Sequence, residues 1–416
     1  MAEVTNYIDR LVAELCPDGV EYRPLESLGK RNKGTAITAS KMRSLEPGNK
    51  DLRIFAAGST FVDTDSSNIP AKDILHGPAI IVKSRGYIGF EYYEKSFTHK
   101  NEMWSYTLDS NIVNQKFIYY YLLTQAYYLQ ELARSKSVKL PQLSVKDTDS
   151  LEVPVPPMEI QEAIVEILDK FTNLEAELEA ELEARTLQYE YYRGSLFGTL
   201  KDPATGLPAI AGLVKALCPD GVEYRSLKDV VAKNYGGGTP SKSKAEYWGG
   251  NIPWASVGDL SDDVLEVTDT RSKITEEGVK GSSTNVVPAG SVIVAIKINP
   301  GRMKIAGMDL AINQDIRGLV LNDSMNARFL TYYFRTLVFA GHGTIVKSIT
   351  NKHLMETKIP VPPLEIQQRI ADILDRFDAL TSSLSEGLPA ELAARRSQYE
   401  YYRDQLLTFP RKGENQ

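Results

Sequence analysis

The chain contains little of what metal sites, disulfides and membrane anchors require. Its 416 residues include two cysteines, Cys16 and Cys218, and four histidines, and these show no spacing typical of metal ligands. A disulfide between the two cysteines is possible, but we expect free thiols because the rest of the chain suits the cytosol. No apolar run approaches the roughly eighteen residues of a membrane span, and the N-terminus "MAEVTNYIDR" lacks the apolar core of a secretory signal. We therefore expect a cytoplasmic protein with no metal and no membrane contact.

Catalytic motifs are also missing. "PDGVEYR" resembles the PD…(D/E)xK pattern of metal nucleases, but only two residues separate Asp18 from Glu21, and Arg23 replaces the lysine. "NIPW" at Asn251–Trp254 resembles the Asn-Pro-Pro-aromatic loop of adenine methyltransferases, yet its isoleucine breaks the motif and no glycine-rich cofactor loop precedes it. The "GGG" at 236–238 is not followed by the Lys-Ser/Thr of a phosphate-binding loop. The sequence thus offers no catalytic centre and no cofactor site.

The net charge of −6 hides an uneven distribution. Residues 20–150 carry 18 Lys and Arg against 14 Asp and Glu, and residues 222–358 carry 17 against 14. Residues 151–221, in contrast, carry 5 against 13. The two large pieces are therefore mildly basic, which is compatible with nucleic acid as a partner, whereas acidic side chains are concentrated in connecting pieces.

A long internal repeat organises the chain. The nine residues "LCPDGVEYR" occur at Leu15–Arg23 and again, unchanged, at Leu217–Arg225. Pro-Asp-Gly is turn chemistry, so each copy is expected to end a helix and to start a strand. Two further segments recur: "VPVPPMEIQEAIVEILDKFTNL" from Val153 returns as "IPVPPLEIQQRIADILDRFDAL" from Ile359, and "QYEYYR" begins at Gln188 and at Gln398. This pattern indicates a duplicated, pseudo-two-fold molecule.

The repeat boundaries predict how the chain is divided. We expect two variable domains, two long spacer helices that follow them, and short connecting pieces. In chain order these are an N-terminal helix completing the second repeat (1–19), a first domain (20–150), a first spacer helix (151–200), a linker and hinge (201–221), a second domain (222–358), a second spacer helix (359–409) and a tail (410–416).

The repeated segments have the pattern of coiled-coil helices. Double prolines at 156–157 and 362–363 can precede a helix but cannot lie inside one. An ordinary amphipathic helix on a globular core is the alternative. We predict that the helices, the first from about Met158 to Tyr192 and roughly 50 Å long, pair antiparallel. Apolar residues at alternating steps of four and three form the predicted a/d seam: Ile160, Ile164, Ile167, Phe171, Leu174 and Leu178, then Ile366, Ile370, Ile373, Phe377, Leu380 and Leu384.

The two spacer copies differ in their second halves. The first contains "EAELEAEL", a repeated Glu-Ala-Glu-Leu tetrapeptide of strong helix formers. A four-residue step acts as a stutter in a heptad pattern. The second copy has Gly387 and Pro389 instead, and we expect these residues to interrupt its helix.

Three stretches carry a resemblance to a known family: "GGGTPSKSKAEYWGGNIPWASVGDL" (236–260), "VVPAGSVIVAIKINPGRMKIAGMDLAINQDIRGL" (286–319) and "KIPVPPLEIQQRIADILDRFDAL" (358–380). They resemble the specificity subunit of type I restriction–modification enzymes, and the order of domain and spacer matches nearly the whole chain. The first domain resembles it more loosely, through "GPAIIVKSRGYIGF" (77–90). The resemblance implies two α/β target-recognition domains separated by two long helices that form an antiparallel coiled coil.

The resemblance also implies a non-catalytic function. Each recognition domain would read one half of a split, asymmetric target on double-stranded DNA, and the coiled coil would set the gap, with "EAELEAEL" as its ruler. Two modification subunits would dock on the chain and supply S-adenosylmethionine chemistry on adenine N6. Restriction subunits would join them with ATP and Mg. Rival interpretations are a stand-alone DNA methyltransferase or nuclease, and a structural coiled-coil scaffold without DNA affinity.

Polar residues at strand ends and in loops are the candidate DNA contacts, because phosphates attract Lys, Arg, Ser and Thr, and base edges attract Asn and Gln. Solvated loops and structural hydrogen bonds are the alternatives. In the first domain the candidates are Lys83, Ser84, Arg85, Tyr87, Lys100, Asn101, Lys139 and Gln142. In the second they are Thr239, Ser241, Lys242, Lys297, Asn299, Arg302, Asn313, Gln314, Lys347, Ser348 and Lys352.

Aromatic residues of the repeat are candidates for protein contacts. Tyrosine is well suited to interfaces because it is both apolar and polar. The same tyrosines could instead seal the coil against a neighbouring domain, and Trp248 and Trp254 are expected in the core. The candidates for the partner interface are Tyr189, Tyr191, Tyr192, Tyr399, Tyr401 and Tyr402.

Overall fold

The computed structural model describes residues 2–45, 50–136, 139–204, 206–262, 264–339, 347–382 and 387–413. The chain forms two compact units. The first consists of Met1–Ala176 and Ala394–Gln416, and the second of Glu177–Ala393. Each unit contains one variable domain and parts of the spacer helices.

The first domain is built on two sheets and a strand pair. The four-stranded antiparallel sheet has the order β2-β8-β5-β6, the three-stranded sheet has the order β4-β3-β7, and β1 pairs with β9. The strands are β1 (Tyr22–Pro24), β2 (Gly29–Lys33), β3 (Leu52–Phe55), β4 (Phe61–Thr64), β5 (Ala79–Lys83), β6 (Gly89–Tyr93), β7 (Phe97–His99), β8 (Trp104–Leu108) and β9 (Glu152–Pro154).

The second domain has a five-stranded sheet of order β11-β19-β16-β17-β13, a four-stranded sheet of order β14-β12-β18-β15, and the pair β10-β20. The strands are β10 (Tyr224–Ser226), β11 (Val231–Gly236), β12 (Trp248–Ala255), β13 (Glu266–Val267), β14 (Ser272–Ile274), β15 (Val286–Val287), β16 (Val292–Ala295), β17 (Met303–Ala306), β18 (Leu310–Ile312), β19 (Ile316–Leu321) and β20 (Lys358–Pro360).

Helices flank these sheets and connect the domains. They are α1 (Ala2–Leu15), α2 (Ala39–Ser44), α3 (Gln115–Lys136), α4 (Val145–Asp149), α5 (Met158–Lys201), α6 (Pro208–Leu217), α7 (Glu276–Lys280), α8 (Ala327–Phe334), α9 (Asn351–Glu356), α10 (Leu364–Ser382) and α11 (Leu388–Leu406). The mixed α/β domains and the long helix α5 confirm the predicted fold class.

The repeated "LCPDGVEYR" joins the two ends of each domain. Gly19 and Gly221 each donate a backbone hydrogen bond of 2.9 Å back across the turn, to Cys16 and Cys218, and both glycines have positive φ. The strand that follows, β1 or β10, then pairs antiparallel with β9 or β20, directly before a spacer helix. The repeat therefore recurs because it holds the entry of each domain beside its exit.

A second repeated contact links the domains to the spacer helices. Gln161 and Gln367 are fully buried, and each donates to a proline carbonyl at 2.7 Å. Their amide oxygens accept from the backbone N–H of Asn114 and Asn326, at 2.7 and 2.8 Å. These asparagines stand just before α3 and α8, so α3 and α8 hold equivalent places in the two domains.

The predicted a/d seam is correct only in part. Ile160, Ile164, Ile366 and Ile370 are fully buried, but in the cores of the domains. Leu174 and Leu380 are 47% and 38% exposed, and Leu168 and Leu374, which the pattern did not select, are fully buried. The buried residues therefore follow one another at steps of four. Such a row forms one apolar face, which packs the first turns of each spacer helix on a globular domain. Leu384 lies outside the described residues.

Aromatic side chains make the contacts between spacer helices. In the first unit Phe171 stacks on Tyr402, with ring centroids 5.8 Å apart, and Glu175 pairs with Arg396 at 2.6 Å. Along α5 the contacts advance from Phe171 to Glu175, while along α11 they go back from Tyr402 to Arg396. The two helices are therefore antiparallel. In the second unit Phe377 of α10 stacks on Tyr192 of α5, at 5.3 Å.

Helix α5 runs to the end of the predicted spacer segment 151–200, and the second spacer is interrupted where the sequence predicted. Helix α5 continues to Lys201, beyond the predicted end near Tyr192. The second spacer consists of two helices, α10 and α11, with Gly387 directly before α11 and Pro389 in its first turn, as the sequence predicted. Proline fits there because the first helical N–H groups have no intrahelical acceptor.

Candidate nucleic-acid interface

The turn between β5 and β6 collects most candidates of the first domain. Residues 84–88 form this turn, and it runs beside residues 140–143. Gly86 N–H donates to the Pro141 carbonyl at 2.8 Å, and Leu143 N–H donates to the Ser84 carbonyl at 2.9 Å. Arg85 and Gln142 face each other across this short ladder, and Lys139 lies just before it, exposed. Arg85 therefore belongs to one surface with Lys139 and Gln142, which lie more than fifty positions later in the sequence.

Lys100 and Asn101 join the same surface through Glu102. The Ser84 hydroxyl donates to the Glu102 carbonyl, while Lys100 Nζ lies 2.7 Å from a Glu102 carboxylate oxygen. Burial raises the pKa of Glu102, but the Lys100 hydrogen bond and charge outweigh it and leave that pKa lowered. Lys83 is paired in the same way with Glu91, at 2.7 Å. These two lysines would have to exchange a carboxylate for a phosphate on binding DNA.

Tyr87 is the most exposed candidate with an aromatic ring. Its relative exposure is 72%, although Ile88, next to it, is 1% exposed. Gly86 has φ +79° and Gly89 lies under the ring, since a Cβ on Gly89 would be 3.1 Å from Tyr87 Cε1. The turn therefore holds the ring outward from a buried anchor. Ser84, in contrast, is 2% exposed, which favours a structural role.

The second domain repeats this arrangement at the turn between β16 and β17. Ile298 N–H donates to the Lys347 carbonyl and Ile349 N–H donates to the Ile296 carbonyl, both at 2.9 Å. Lys297 and Ser348 face each other as Arg85 and Gln142 do. Ile298 takes the place of Gly86, with φ +71° and 55% exposure. A β-branched residue in this conformation is strained.

The remaining candidates of this turn lie on either side of it. Asn299 is exposed, and Arg302 donates to the Asp262 carbonyl at 2.6 Å. Burial raises the pKa of Asp262, but hydrogen bonding to Lys304 and the lysine charge outweigh it and leave the pKa lowered. Lys352 stands on α9, with 82% of its side chain exposed.

A loop over residues 237–244 forms a second polar surface. The Thr239 hydroxyl donates to Gln314, so two candidates from distant parts of the sequence meet. The indole N–H of Trp254 donates to the Gly238 carbonyl at 3.1 Å, and that of Trp248 donates to the Ser241 carbonyl at 3.2 Å. The tryptophans are anchors for this loop, while Lys242 and the Ser241 side chain point into solvent.

Asp315 connects the two polar surfaces of the second domain. Its carboxylate lies 2.8 Å from Lys297 Nζ, and its carbonyl accepts from the Ile296 N–H at 2.8 Å. Asn313, which precedes it by two residues, is 7% exposed, and its side-chain oxygen accepts from the Asp315 N–H at 3.0 Å. This favours the structural alternative for Asn313, whereas Gln314 is exposed.

Several candidate lysines are available for phosphates. Lys139, Lys242 and Lys347 are exposed, and none has an ion pair with another residue that the structure describes. Exposed lysine side chains can displace the counterions of DNA. Each domain therefore has an exposed lysine beside its hairpin, Lys139 in the first and Lys347 in the second.

The tyrosines of the repeated "QYEYYR" divide into two groups. Tyr192 and Tyr402 stack on phenylalanines of the opposite spacer helix. Tyr189 is 7% exposed and accepts a hydrogen bond from Arg335 at 3.2 Å, and Tyr399 lies against Phe171. The middle tyrosine of each copy is exposed, Tyr191 by 66% and Tyr401 by 60%. The six candidates therefore include four that seal their own unit.

Other kinds of site are not found in the described part of the chain. No group of three or more His, Cys, Asp or Glu residues there could hold a metal ion. No described helix is both long and apolar enough to span a bilayer. Cys16 and Cys218 are free thiols, and burial raises the pKa of each.

Comparison with known proteins gives the class and then the family. The model of the type I restriction modification DNA specificity domain matches twice, at residues 17–184 and 219–394. The specificity subunit of the type I restriction enzyme EcoR124I/EcoR124II from Escherichia coli is 34% identical over 436 residues, covering 98% of this chain and 98% of that protein. The chain belongs to the family of type I restriction–modification specificity subunits, and as such it is not itself an enzyme.

Another relative is similar to this chain in sequence, and two solved structures are similar to it in fold. The specificity subunit of EcoprrI from Escherichia coli is 34% identical over 46% of this chain and 51% of its own length. The S subunit of the type I system of M. genitalium has a TM-score of 0.55 and 17% identity, covering 94% of this chain and 96% of that one. A chain from a structure of type I R-M complex assembly and conformational transition has a TM-score of 0.57 and 16% identity, covering 94% and 97%.

Three features of the structure were not predicted from the sequence. Gln161 and Gln367 were not among the predicted site residues, although the repeated "EIQ" was a visible signal. The shared pattern of "NQKFIYYYL" and "NARFLTYYF" could have revealed that α3 and α8 are equivalent. Gln130, which bonds the β5–β6 turn, carries no signal in the sequence, because only the fold brings it there.

Proposed function

We propose that this chain recognises one split, asymmetric sequence on double-stranded DNA, with each domain reading one half of it. The observation that carries the proposal is the pair of equivalent hairpins. In both domains a turn after a buried strand lies beside a second polar segment. The two turns have different side chains, Arg85 and Tyr87 in one and Lys297 and Asn299 in the other. The same scaffold with different contact residues suits two independent half-sites.

The chemistry of these surfaces fits DNA. Exposed lysines and Arg85 suit phosphates, whose contacts fix orientation without carrying sequence information. Exposed Gln142, Asn299 and Gln314 have amides that can bond adenine edges in the major groove. Tyr87 can pack on sugars or bases. The hairpins are rigid because buried strands support them, and a rigid frame makes base readout precise.

Catalysis and assembly are assigned to partner subunits in this proposal. Two modification subunits would bind S-adenosylmethionine and methylate adenine, and restriction subunits would use ATP and Mg. Tyr191 and Tyr401 are exposed at equivalent places of the repeat, and their equivalence suits two copies of one partner. The complex would act in the cytoplasm, where its DNA lies.

Methylation mapping tests the central proposal. The chain is co-expressed with its modification subunit, and N6-methyladenine is mapped across the host genome by long-read sequencing. We expect one motif with two defined halves and an undefined gap. A continuous motif, or no motif despite a stable complex, would contradict the reading of two halves by two domains.

Exchange of one domain is the matching experiment. Residues 20–150 are replaced by the equivalent domain of a relative with a different target, and the map is repeated. One half of the motif should change while the other half and the gap persist. A change in both halves would show that the domains do not read independently.

A further inference from the structure

The side chain of Gln130, on helix α3, bonds the turn between β5 and β6. The Ile88 N–H donates to Gln130 Oε1 at 2.9 Å. Gln130 Nε2 donates to the Gly86 carbonyl at 3.3 Å. The amide therefore bonds the backbone immediately before and immediately after Tyr87. A carboxamide can do this because it donates and accepts at once.

We propose that Gln130 is a positioning residue for DNA recognition by the first domain, acting through Tyr87. This rests on the proposed function above. The two hydrogen bonds fix the peptide groups on both sides of Tyr87. Its ring is held outward over Gly89, with 72% of the residue exposed. A contact residue that is ordered before binding loses less entropy when the complex forms.

Helix α3 is longer than its equivalent in the second domain. Helix α3 is 22 residues long, while the equivalent α8 has eight. The first turns of α3 make the contact to the spacer helix, and its later turns carry Gln130 to the hairpin. The added length thus places Gln130 at the turn, and it also buries Leu129 and Ala133 in the core of the domain.

The second domain supports its turn by different chemistry. There Phe339 lies under Gly301, where a Cβ would be 2.0 Å from the ring, and Phe339 stacks on Phe334 at 5.8 Å. One domain therefore uses an amide under its turn, and the other uses an aromatic ring. This difference predicts that loss of Gln130 affects one half-site only.

The test uses the complex of the full chain with its modification subunits and the target found by methylation mapping. Gln130→Met keeps the length of the side chain and removes both hydrogen bonds. Gln125→Met is the matched control, because Gln125 is a half-buried residue on the same helix whose amide donates to the neighbouring Thr124 hydroxyl at 2.9 Å. Dissociation constants are measured for the intact target and for targets with either half replaced.

For Gln130→Met we expect discrimination against a replaced half to fall roughly tenfold for one half, the size of a lost hydrogen bond to a fixed group, and to stay unchanged for the other. The melting temperature and the Gln125→Met complex should resemble wild type. Unchanged discrimination, or equal loss at both halves, would overturn the inference. If the wild-type complex shows no split target at all, it is the proposed function that fails.

Tyr87→Ala is the second variant, because it removes the ring through which Gln130 acts. Tyr87 is exposed, so its replacement should leave the fold intact and reduce discrimination at one half. The double variant Gln130→Met/Tyr87→Ala should lose no more than Tyr87→Ala alone, because Gln130 acts through the ring. Additive losses, or full discrimination in Tyr87→Ala, would overturn the assignment.

Discussion

Single glycines determine the shape of the turns that carry the candidate DNA contacts. Gly86 and Gly301 have positive φ, but for different reasons. Gly86 has no close neighbour, with Leu140 3.8 Å from where its Cβ would be, and is needed for its backbone conformation alone. At Gly301 a side chain would also clash with the Phe339 ring, which lies 2.0 Å from where the Cβ would be. The same residue type is thus required by conformation in one domain and by packing as well in the other.

Replacement of Gly301 by alanine should be far more costly than replacement of Gly290. Gly290 has φ +80° with nothing near its Cβ position, so Gly290→Ala should cost about 1 kcal/mol of backbone strain. Gly301→Ala adds a clash and should cost about 3 kcal/mol in unfolding free energy. Chemical denaturation measures both. Adding Phe339→Ala to Gly301→Ala should restore part of the loss, and equal costs for the two glycine variants would contradict this account.

Buried His99 should make the first domain sensitive to acid. Desolvation lowers its pKa from 6.5 to about 4, because β7 buries the ring completely. Between these values the unfolded chain binds a proton that the folded chain does not, so stability falls as pH decreases from about 6.5 to 4. At pH 5 this amounts to about 2 kcal/mol. In His99→Gln the difference in unfolding free energy between pH 7 and pH 5 should shrink by that amount, and an unchanged difference would disprove the role.

At the scale of elements, the spacer helices serve two kinds of contact. Their first turns pack into the domain cores through Ile160, Ile164, Ile366 and Ile370. Further along, aromatic rings such as Phe171 on Tyr402 join one helix to another. A single regular a/d seam would not provide both contacts. Each spacer helix faces a domain core in its first turns and another helix further along.

The repeated tyrosines should separate stability from assembly. Tyr192→Ala and Tyr402→Ala remove stacked rings and should lower the unfolding free energy by about 2 kcal/mol each. Tyr191→Ala and Tyr401→Ala change exposed residues and should alter it by less than about 0.5 kcal/mol. The exposed pair should instead weaken binding of the modification subunit by about tenfold. Thermal melts and titration calorimetry check this, and normal binding by the double variant Tyr191→Ala/Tyr401→Ala would exclude these residues from the interface.

At the scale of the whole molecule, helix α5 contributes to both compact units. Its residues up to Ala176 belong to the first and those from Glu177 to the second. The Glu-Ala-Glu-Leu repeats begin beside this boundary, and the helix passes through them without a break. This continuity is what a spacer of fixed length requires.

Insertion of one Glu-Ala-Glu-Leu after Leu182 should lengthen α5 by about 6 Å. The gap of the methylated motif should then widen by about one or two base pairs, since base pairs are about 3.4 Å apart, and both half-sites should stay the same. Methylation mapping of the insertion variant measures this directly. An insertion of four residues into the linker after α5, near Pro203, is the control and should leave the gap unchanged. Retention of the original gap by the α5 variant would refute the ruler.

The sequence alone determined that the molecule is a duplication of one domain and one spacer. The residues that indicate this act on their immediate neighbours in the chain. Identical turns, double prolines before helices and strong helix formers act on neighbouring residues, so they can be read without the fold. Strands such as β5 and β16 were visible as apolar runs that end in polar residues. The helix break at Gly387 was equally local.

The tertiary structure decided which side chains meet. Sequence spacing could not show that Gln142 faces Arg85, that Thr239 bonds Gln314, or that Gln130 bonds the backbone on both sides of Tyr87, because these contacts depend on long-range packing. The same holds for Leu168 and Leu174, where a helical pattern allowed either to be buried. The domain core selected Leu168, because burial is decided by what a helix packs against and not by its period.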